Sequence, residues 1–233
     1  DLSRVYHVLD VLGEVPWRIN RRLFAVMEQC WAAGGNFPYV PARANAAFPA
    51  PPADARTNAE ARGLWRKDRA KVAQKNKELH SLRCDFILKL LTARQFVDEP
   101  RIYFPHNMDF RGRVYPIPPH LNHMGADISR GMLEFAEVRP LGARGLYWLK
   151  VHVANLCGKN KVPFDERVAF ADAHLADILD SAAAPLEGRR WWLKAAEDHW
   201  QCLAACLEIS DALASGDAAA FVSRLPTHMD GSC

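Results

Sequence analysis

The sequence predicts a mainly helical α+β fold that contains a small antiparallel β-sheet. Apolar residues recur at helical spacing through residues 1–33 and 57–96, and again from residue 142 onward. Between them, residues 101–140 are rich in turn residues and contain short runs that favour strands. Hydrophobic residues make up 49% of the 233 residues, which is enough to build a core. No apolar run reaches the ~18 residues of a membrane-spanning helix, so we expect no membrane partner.

The first segment, residues 1–56, predicts two helices followed by an irregular connector. Apolar residues share one face of the first helix up to Gly13. Pro16 is predicted to open the second helix, which would include Ile19. Residues 37–56 are rich in proline and alanine, so we expect a partly mobile connector there.

The second segment, residues 57–100, predicts one long helix that ends near Phe96. Thr57 and Glu60 have the spacing of a capping box at its start. Its charge is strongly one-signed, with eight basic residues: Arg62, Arg66, Lys67, Arg69, Lys71, Lys75, Lys77 and Arg83. Such a charge run is usually a solvated helix face. Because few acidic partners accompany it, the helix is also suited to follow a phosphate backbone, with affinity that falls steeply as salt rises.

The third segment, residues 101–233, starts with strand candidates and continues with helices. The predicted strands are residues 102–104, 113–117, 132–138 and 225–229. The predicted helices are residues 145–156, 165–181, 190–213 and 218–224. Trp148, Trp191, Trp192 and Trp200 lie beside leucines at helical spacing and are predicted to be core residues.

A pair of arginines in the strand-rich region is the first chemical signal. If the segment is extended, Arg111 and Arg113 point to the same side, and forked guanidinium groups match phosphate oxygens. The alternative is that they bond nearby carboxylates such as Asp109 or Glu134. Tyr115 continues the same face and could stack on a base or pack in the core.

A carboxylate beside a glycine near the end of the chain is the second signal. Asp230 and the carbonyl of Gly231 could offer oxygen ligands to Mg²⁺, although Asp-Gly is most often a simple turn. Lys161, in a loop before a helix with Asp165 as its predicted cap, could reach a phosphate or could be a solvated surface lysine. Together these residues suggest metal-dependent phosphoryl chemistry on a nucleic acid.

The histidines and cysteines give no independent sign of a metal site. His152 and His228 lack ligand-spaced partners, so we interpret them as satisfied structural histidines. Cys202 and Cys206 share a helical face and are predicted to lie in the core. The six cysteines contain no CxxC pair, which is typical of reduced thiols.

Several of these motifs resemble one family when they are taken in order. The run from Tyr103 to Pro116 (YFPHNMDFRGRVYP) closely resembles the Asp-x-x-Gly-Arg region of the single-subunit, phage-type RNA polymerases of bacteriophages, mitochondria and chloroplasts. Further matches follow in the expected order: RGMLE at 130–134, GLYWLK at 145–150, HVAN at 152–155, KVPF at 161–164, and the DGSC ending at 230–233. The resemblance is dense from residue 101 onward and looser before it.

The resemblance implies roles for the candidate catalytic residues. Asp230 would be one of two metal-binding aspartates, assisted by the Gly231 carbonyl, with Mg²⁺ as cofactor. Lys161 would contact the phosphates of the incoming ribonucleoside triphosphate. The second aspartate and the nucleotide-binding helix of the fingers domain are absent from these 233 residues, so we expect the segment by itself to be inactive.

The resemblance also implies how nucleic acid is held. Arg113, with Arg111 near it, would hold the DNA template or its hybrid with the nascent RNA, and Tyr115 and Arg130 would line the same channel. Residues 57–100 would belong to the thumb and residues 101–233 to the first part of the palm of a right-hand polymerase fold.

The function implied is that of a DNA-directed RNA polymerase, of which this is a fragment, working in a mitochondrion or alternatively a plastid. An initiation factor is a further candidate partner. The alternatives are a non-catalytic nucleic-acid-binding segment of a decayed polymerase gene and, less well matched by the motifs, a DNA polymerase with a similar palm aspartate.

Overall fold

A computed structural model describes residues 1–229 of the chain. Their helices are α1 Ser3–Gly13, α2 Arg21–Ala32, α3 Ala59–Phe96, α4 Asp127–Met132, α5 Gly145–Leu156, α6 Phe164–Ala173, α7 Leu175–Ala183, α8 Trp191–Ala195 and α9 His199–Ala214. Their strands are β1 Trp17–Ile19, β2 His106–Met108, β3 Val114–Pro116, β4 Leu133–Phe135, β5 Arg139–Pro140 and β6 Val222–Ser223. The predicted α+β class is confirmed, although the strands form three two-stranded antiparallel sheets rather than one. No helix in this part of the chain is both long and apolar enough to cross a membrane.

The chain divides into two compact units, and the larger one comprises residues 1–27 together with residues from 89 onward. Its core surrounds α9, where Trp200, Leu203 and Cys206 are fully buried. The predictions that Trp191, Trp192 and Trp200 lie in the core, and with them Cys202 and Cys206, are confirmed.

The segment after Pro16 is a strand rather than the start of a helix. Trp17 pairs with Phe135, and Ile19 pairs with Leu133, in the antiparallel β1–β4 sheet. Trp17 and Ile19 are buried while the residue between them is only half-buried, which is the two-residue period of a strand. The helical prediction was wrong here because three residues are too few for their period to show in the sequence.

Two long helices predicted from the sequence are each divided in the structure. The segment at 165–181 breaks at His174, between α6 and α7, and the segment at 190–213 breaks between α8 and α9. The buried Asp127 carboxylate stabilises the second break. It accepts hydrogen bonds from the backbone N–H groups of Trp200 and Gln201, at 2.8 and 3.1 Å, in the first turn of α9.

The region after α9 also differs from its prediction. Residues 218–224 do not form a helix, because the N–H groups of Leu141 and Gly142 bond to the carbonyls of Phe221 and Ala219 and hold this segment alongside β5. Residues 225–229 are not in a strand.

The smaller unit comprises residues 28–88 and contains most of α3. Its helix is capped by Asn58, whose side-chain oxygen accepts the Ala61 N–H at 3.0 Å, one residue later than the predicted capping box. Thr57 instead bonds the Asp54 carbonyl at 3.2 Å.

The proline-rich connector lies along the α3 side chains of the same unit. The Asn76 amide donates to and accepts from the backbone of Ala46, at 3.1 and 2.8 Å. The Arg83 guanidinium donates to the carbonyls of Ala42 and Ala44 and to the Asn45 side chain, all within 2.8 Å. The connector is irregular, as predicted, but its backbone is held by specific hydrogen bonds.

Candidate nucleic-acid interface

The Arg111–Arg113 pair lies at the tip of the β2–β3 hairpin. One oxygen of Asp109 accepts the backbone N–H groups of both Arg111 and Arg113 at 2.9 Å, and the Asp109 N–H donates to the Arg113 carbonyl at 2.8 Å. Gly112 has a φ of 78°, a left-handed conformation that favours glycine. Arg111 is therefore in a tight loop, so the extended backbone that would point both arginines to the same side is present only from Arg113 onward.

Both guanidinium groups of the pair are exposed and free of carboxylates. Asp109 is occupied by backbone N–H groups, and Glu134 pairs with Arg18 at 2.8 Å. Within residues 1–229, no ion pair joins Arg111 or Arg113 to an acidic side chain. Within these residues, the arginines therefore do not form the local salt bridges that the alternative interpretation predicts.

Aromatic rings flank this pair. Phe110 is 93% exposed, and the Arg111 guanidinium lies 5.2 Å from the centre of its ring. Tyr115, opposite Asn107 in the hairpin, is 41% exposed, so it is not a core residue. The tip of the hairpin thus presents two positive charges beside two rings. This combination suits a phosphate backbone with bases that can stack.

Arg130 lies elsewhere in the same unit, at a cleft of about 460 Å³. We call it the central cleft, and six of the polar residues that line it are Arg130, His152, Asn155, Asp198, Gln201 and His228. Arg130 Nη2 lies 3.6 Å from Asp198 Oδ1, a long contact between two partly exposed groups. The Arg130 Nε is buried without a partner in the described part of the chain.

The two histidines of the central cleft are neutral near pH 7. Burial lowers the pKa of His152 to about 4, against the weaker opposing effect of the Asp198 charge. Burial, aided by the Arg130 charge, lowers the pKa of His228 to about 4 as well. Among residues 1–229, the buried Nε2 of His228 has no hydrogen-bond partner, so the prediction of a satisfied histidine was wrong for His228.

Lys161 is exposed, on the loop of residues 158–163 that leads into α6. Arg167 holds this loop: its guanidinium donates to the carbonyls of Val162 and Asn160, at 2.8 and 2.7 Å, and to the Asn155 side chain at 2.8 Å. The predicted Asp165 cap is absent, because that carboxylate accepts the Tyr147 hydroxyl at 2.9 Å instead. Sequence reasoning did not predict that Arg167 holds this loop.

Trp148 is the exception among the tryptophans that were predicted to be core residues. It is 45% exposed and lies at the central cleft, where the centre of its ring is 5.3 Å from the centre of the Phe164 ring. Trp148 shares one face of α5 with Val151, His152 and Asn155, which also line the cleft, and it lies nearer the N-terminal end of the helix. Helical spacing beside leucines did not distinguish this rim position from the core.

In the smaller unit, α3 presents exposed basic side chains. Arg83 is committed to the connector, Arg69 lies over the rings of Phe48 and Trp65, and Lys71 pairs with Asp68 at 3.2 Å. The basic residues of α3 that remain exposed, with no ion pair to another described residue, are Arg66, Lys67, Lys75 and Lys77.

The predicted metal ligands Asp230 and Gly231 lie outside the described residues. Among residues 1–229, no group of three or more His, Cys, Asp or Glu side chains is placed to hold a metal ion.

Known proteins with similar sequences identify the family of this chain. A family model described as DNA-dependent RNA polymerase matches residues 139–233. The mitochondrial DNA-directed RNA polymerase 1 of Arabidopsis thaliana is 48% identical over 234 residues, which cover 100% of this chain. The chain belongs to the single-subunit DNA-dependent RNA polymerase family. The resemblance seen in its motifs is thereby confirmed.

Other members of this polymerase family are equally similar. The chloroplastic/mitochondrial DNA-directed RNA polymerase 2 of Nicotiana sylvestris is 49% identical over 235 residues, and the chloroplastic polymerase 3 of the same plant is 49% identical over 234 residues. Each alignment covers 100% of this chain but only 23–24% of the relative. The chain thus spans about a quarter of the length of these RNA polymerases.

Proposed function

We propose that this chain contributes the thumb-like helix and the first part of the palm to a DNA-directed RNA polymerase, which adds ribonucleotides to RNA under the direction of a DNA template. Residues 1–56 form the N-terminal part and connector, residues 57–100 the thumb-like helix and residues 101–233 the palm segment. The observation that carries the proposal is the 48–49% identity to organellar RNA polymerases along the whole chain.

The nucleic acid is held by the hairpin and by Arg130. Arg111 and Arg113 contact phosphates of the template or of the RNA–DNA hybrid, and Tyr115 packs on a sugar or base. The support is local: both guanidinium groups are exposed, no carboxylate of the described chain neutralises them, and Asp109 fixes the loop that carries them. Arg130, with one long contact to Asp198, retains donors for a further acceptor.

Lys161 contacts the phosphates of the incoming ribonucleoside triphosphate. An ammonium group on a flexible stem acts as a point charge, so its reach depends on where its loop is held. The three hydrogen bonds from Arg167 fix the loop around Lys161 while leaving the lysine itself exposed.

Asp230 and the Gly231 carbonyl hold Mg²⁺, which neutralises negative charge on the reacting phosphate groups when bound. Carboxylate and carbonyl oxygens are the ligands that this ion prefers, so these two donors fit the ion by their chemistry. Because the relatives are named as mitochondrial or chloroplastic polymerases, we assign the protein to a mitochondrion or, alternatively, a plastid. An initiation factor remains a candidate partner.

Binding of a labelled RNA–DNA hybrid to the chain, followed by fluorescence anisotropy at several salt concentrations, tests the proposal. The double variant Arg111→Ala/Arg113→Ala should bind more weakly and show a salt slope about 2 units shallower, since each lost phosphate contact removes about 1. The matched control Arg4→Ala/Lys194→Ala removes the same charge from exposed positions on α1 and α8. Equal losses in both double variants would show that only net charge matters, and the hairpin assignment would fail.

A further inference from the structure

Two exposed aromatic rings form one wall of the central cleft. Trp148, on α5, is 45% exposed, and Phe164, the first residue of α6, is 49% exposed. Their rings meet edge to face, with centres 5.3 Å apart and planes at 77°. Large apolar rings that stay exposed at a cleft rim lose favourable burial energy, which a ligand that covers them would recover.

Cations hold both rings in place. The Arg144 guanidinium lies 5.4 Å from the centre of the Trp148 ring, and the Arg167 guanidinium lies 4.9 Å from the centre of the Phe164 ring. Arg167 is itself fixed by its three hydrogen bonds to the loop of residues 158–163 and to Asn155. A wall that is ordered before binding loses little conformational entropy when a flat ligand stacks on it.

The polar side of the cleft suits the edge of a neutral heterocycle. His152 is uncharged near pH 7 because burial lowers its pKa to about 4. The side-chain oxygen of Asn155 is bonded to Arg167, while its amide nitrogen has no partner among residues 1–229 and can donate to a ligand. The volume of about 460 Å³ lies within the range of small-ligand sites.

We propose that Trp148 and Phe164 form a stacking site for an unpaired nucleobase in the central cleft. Arg130 lines this cleft, Arg144 and Arg167 lie against the two rings, and Lys161 follows the lining residue Asn160. These positive side chains favour the attached phosphates, so the occupant is a nucleotide rather than an uncharged aromatic compound. The inference rests on the proposed function and adds to it a base-binding wall distinct from the arginines of the hairpin.

Photocrosslinking tests the site with the whole chain. A single-stranded oligonucleotide carrying 5-iodouracil should crosslink to Trp148 or Phe164, with the position read by peptide mass spectrometry. Trp148→Ala and Phe164→Ala should each weaken oligonucleotide binding about 5- to 150-fold, the range that corresponds to loss of one base–aromatic stack. Trp148→Phe should keep most of the affinity. Tyr6→Ala, at an α1 ring that is 60% exposed, is the matched control and should bind as the unsubstituted chain does.

The outcomes separate this inference from the proposed function. If Trp148→Ala and Phe164→Ala bind the oligonucleotide normally while Arg111→Ala/Arg113→Ala does not, the base site is wrong and the polymerase assignment stands. If the unsubstituted chain binds neither oligonucleotide nor hybrid, both proposals fail. Parallel titrations with RNA, DNA and free ATP identify the source of the base. Circular dichroism and thermal melting confirm that each variant is folded.

Discussion

Arg167 is a single side chain that orders the loop carrying Lys161. Its guanidinium satisfies three acceptors around residues 158–163, and its flat face also covers Phe164. An arginine has the forked donors for all of these contacts, and a lysine does not. The exposed Lys161 therefore lies on a loop whose position is fixed by hydrogen bonds from Arg167 to the residues on either side of it.

We expect Arg167→Lys and Arg167→Ala to release the loop of residues 158–163. Amide hydrogen exchange in that loop should speed up in both variants, and the free energy of unfolding should fall by about 1–3 kcal/mol because three acceptors, two of them partly buried, lose their donor. Arg189→Ala, which breaks an exposed pair with Asp177, provides the comparison. Unchanged exchange in Arg167→Ala would mean that the loop is ordered by other contacts.

His152 gives a pH dependence whose sign follows from its lowered pKa. The unfolded chain binds a proton on His152 below about pH 6.5, whereas the folded chain does so only near pH 4. Between these values the unfolded state binds more protons, so the free energy of unfolding falls as the pH falls, by about 3 kcal/mol in total for this group.

Urea unfolding of the unsubstituted chain and of His152→Gln at pH 7, 6 and 5 measures this contribution. The difference in stability between the two should shrink, or change sign, as the pH is lowered, because the variant has no imidazole to protonate. A difference that stays constant with pH would contradict the lowered pKa of His152.

At the scale of elements, the contact between α4 and α9 requires a glycine. A Cβ on Gly131 would lie 2.9 Å from the Cβ of Trp200, closer than real Cβ atoms approach, and 3.0 Å from Leu23 Cδ2, a contact that would require the leucine to shift. Because Asp127 at the start of α4 also caps α9, the two helices cannot separate without loss of buried hydrogen bonds.

Gly131→Ala should therefore destabilise the chain by about 1–3 kcal/mol, the usual cost of overpacking. The control is Gly63→Ala in α3, where a Cβ meets nothing within 4 Å, and there alanine should raise helix stability by about 0.5–1 kcal/mol. Thermal unfolding of both variants distinguishes a steric effect from a general effect of alanine. Equal shifts of the two melting temperatures would contradict the steric effect at Gly131.

The long helix and its connector were predicted with mixed success. The helix ends at Phe96 as predicted, and its side chains Phe86, Leu90 and Ala93 are buried, whereas Leu82 is 55% exposed. The hydrogen bonds from Asn76 and Arg83 to the connector could not be read from the sequence, because their partners are backbone atoms 30 to 41 residues away.

At the scale of the whole molecule, the small net charge does not reveal where the basic side chains lie. The net charge is only +3, yet the hairpin and α3 each carry exposed basic side chains that form no ion pair with a residue among 1–229. A protein of this kind should bind nucleic acid through local positive surfaces, with an affinity that depends steeply on salt.

We expect Lys75→Ala/Lys77→Ala to reduce the salt slope of hybrid binding by about 2, one for each phosphate contact removed. Anisotropy titrations at fixed pH measure the slope, and Gln74→Ala, an uncharged neighbour on the same helix, serves as the reference. A slope that matches the reference would show that α3 does not contact the backbone of the hybrid.

The sequence by itself determined the fold class, the bounds of α5 and the family, because long helical periods and ordered motifs are local properties of the chain. Only the tertiary structure decided that Trp17 begins a strand, that Trp148 lies at a rim and that Asp127 caps a helix more than seventy residues away. Each of these depends on which distant backbone or side chain is nearest, and that is set by packing. Periodicity indicates which face of an element is apolar, but it does not indicate which residues pack against that face.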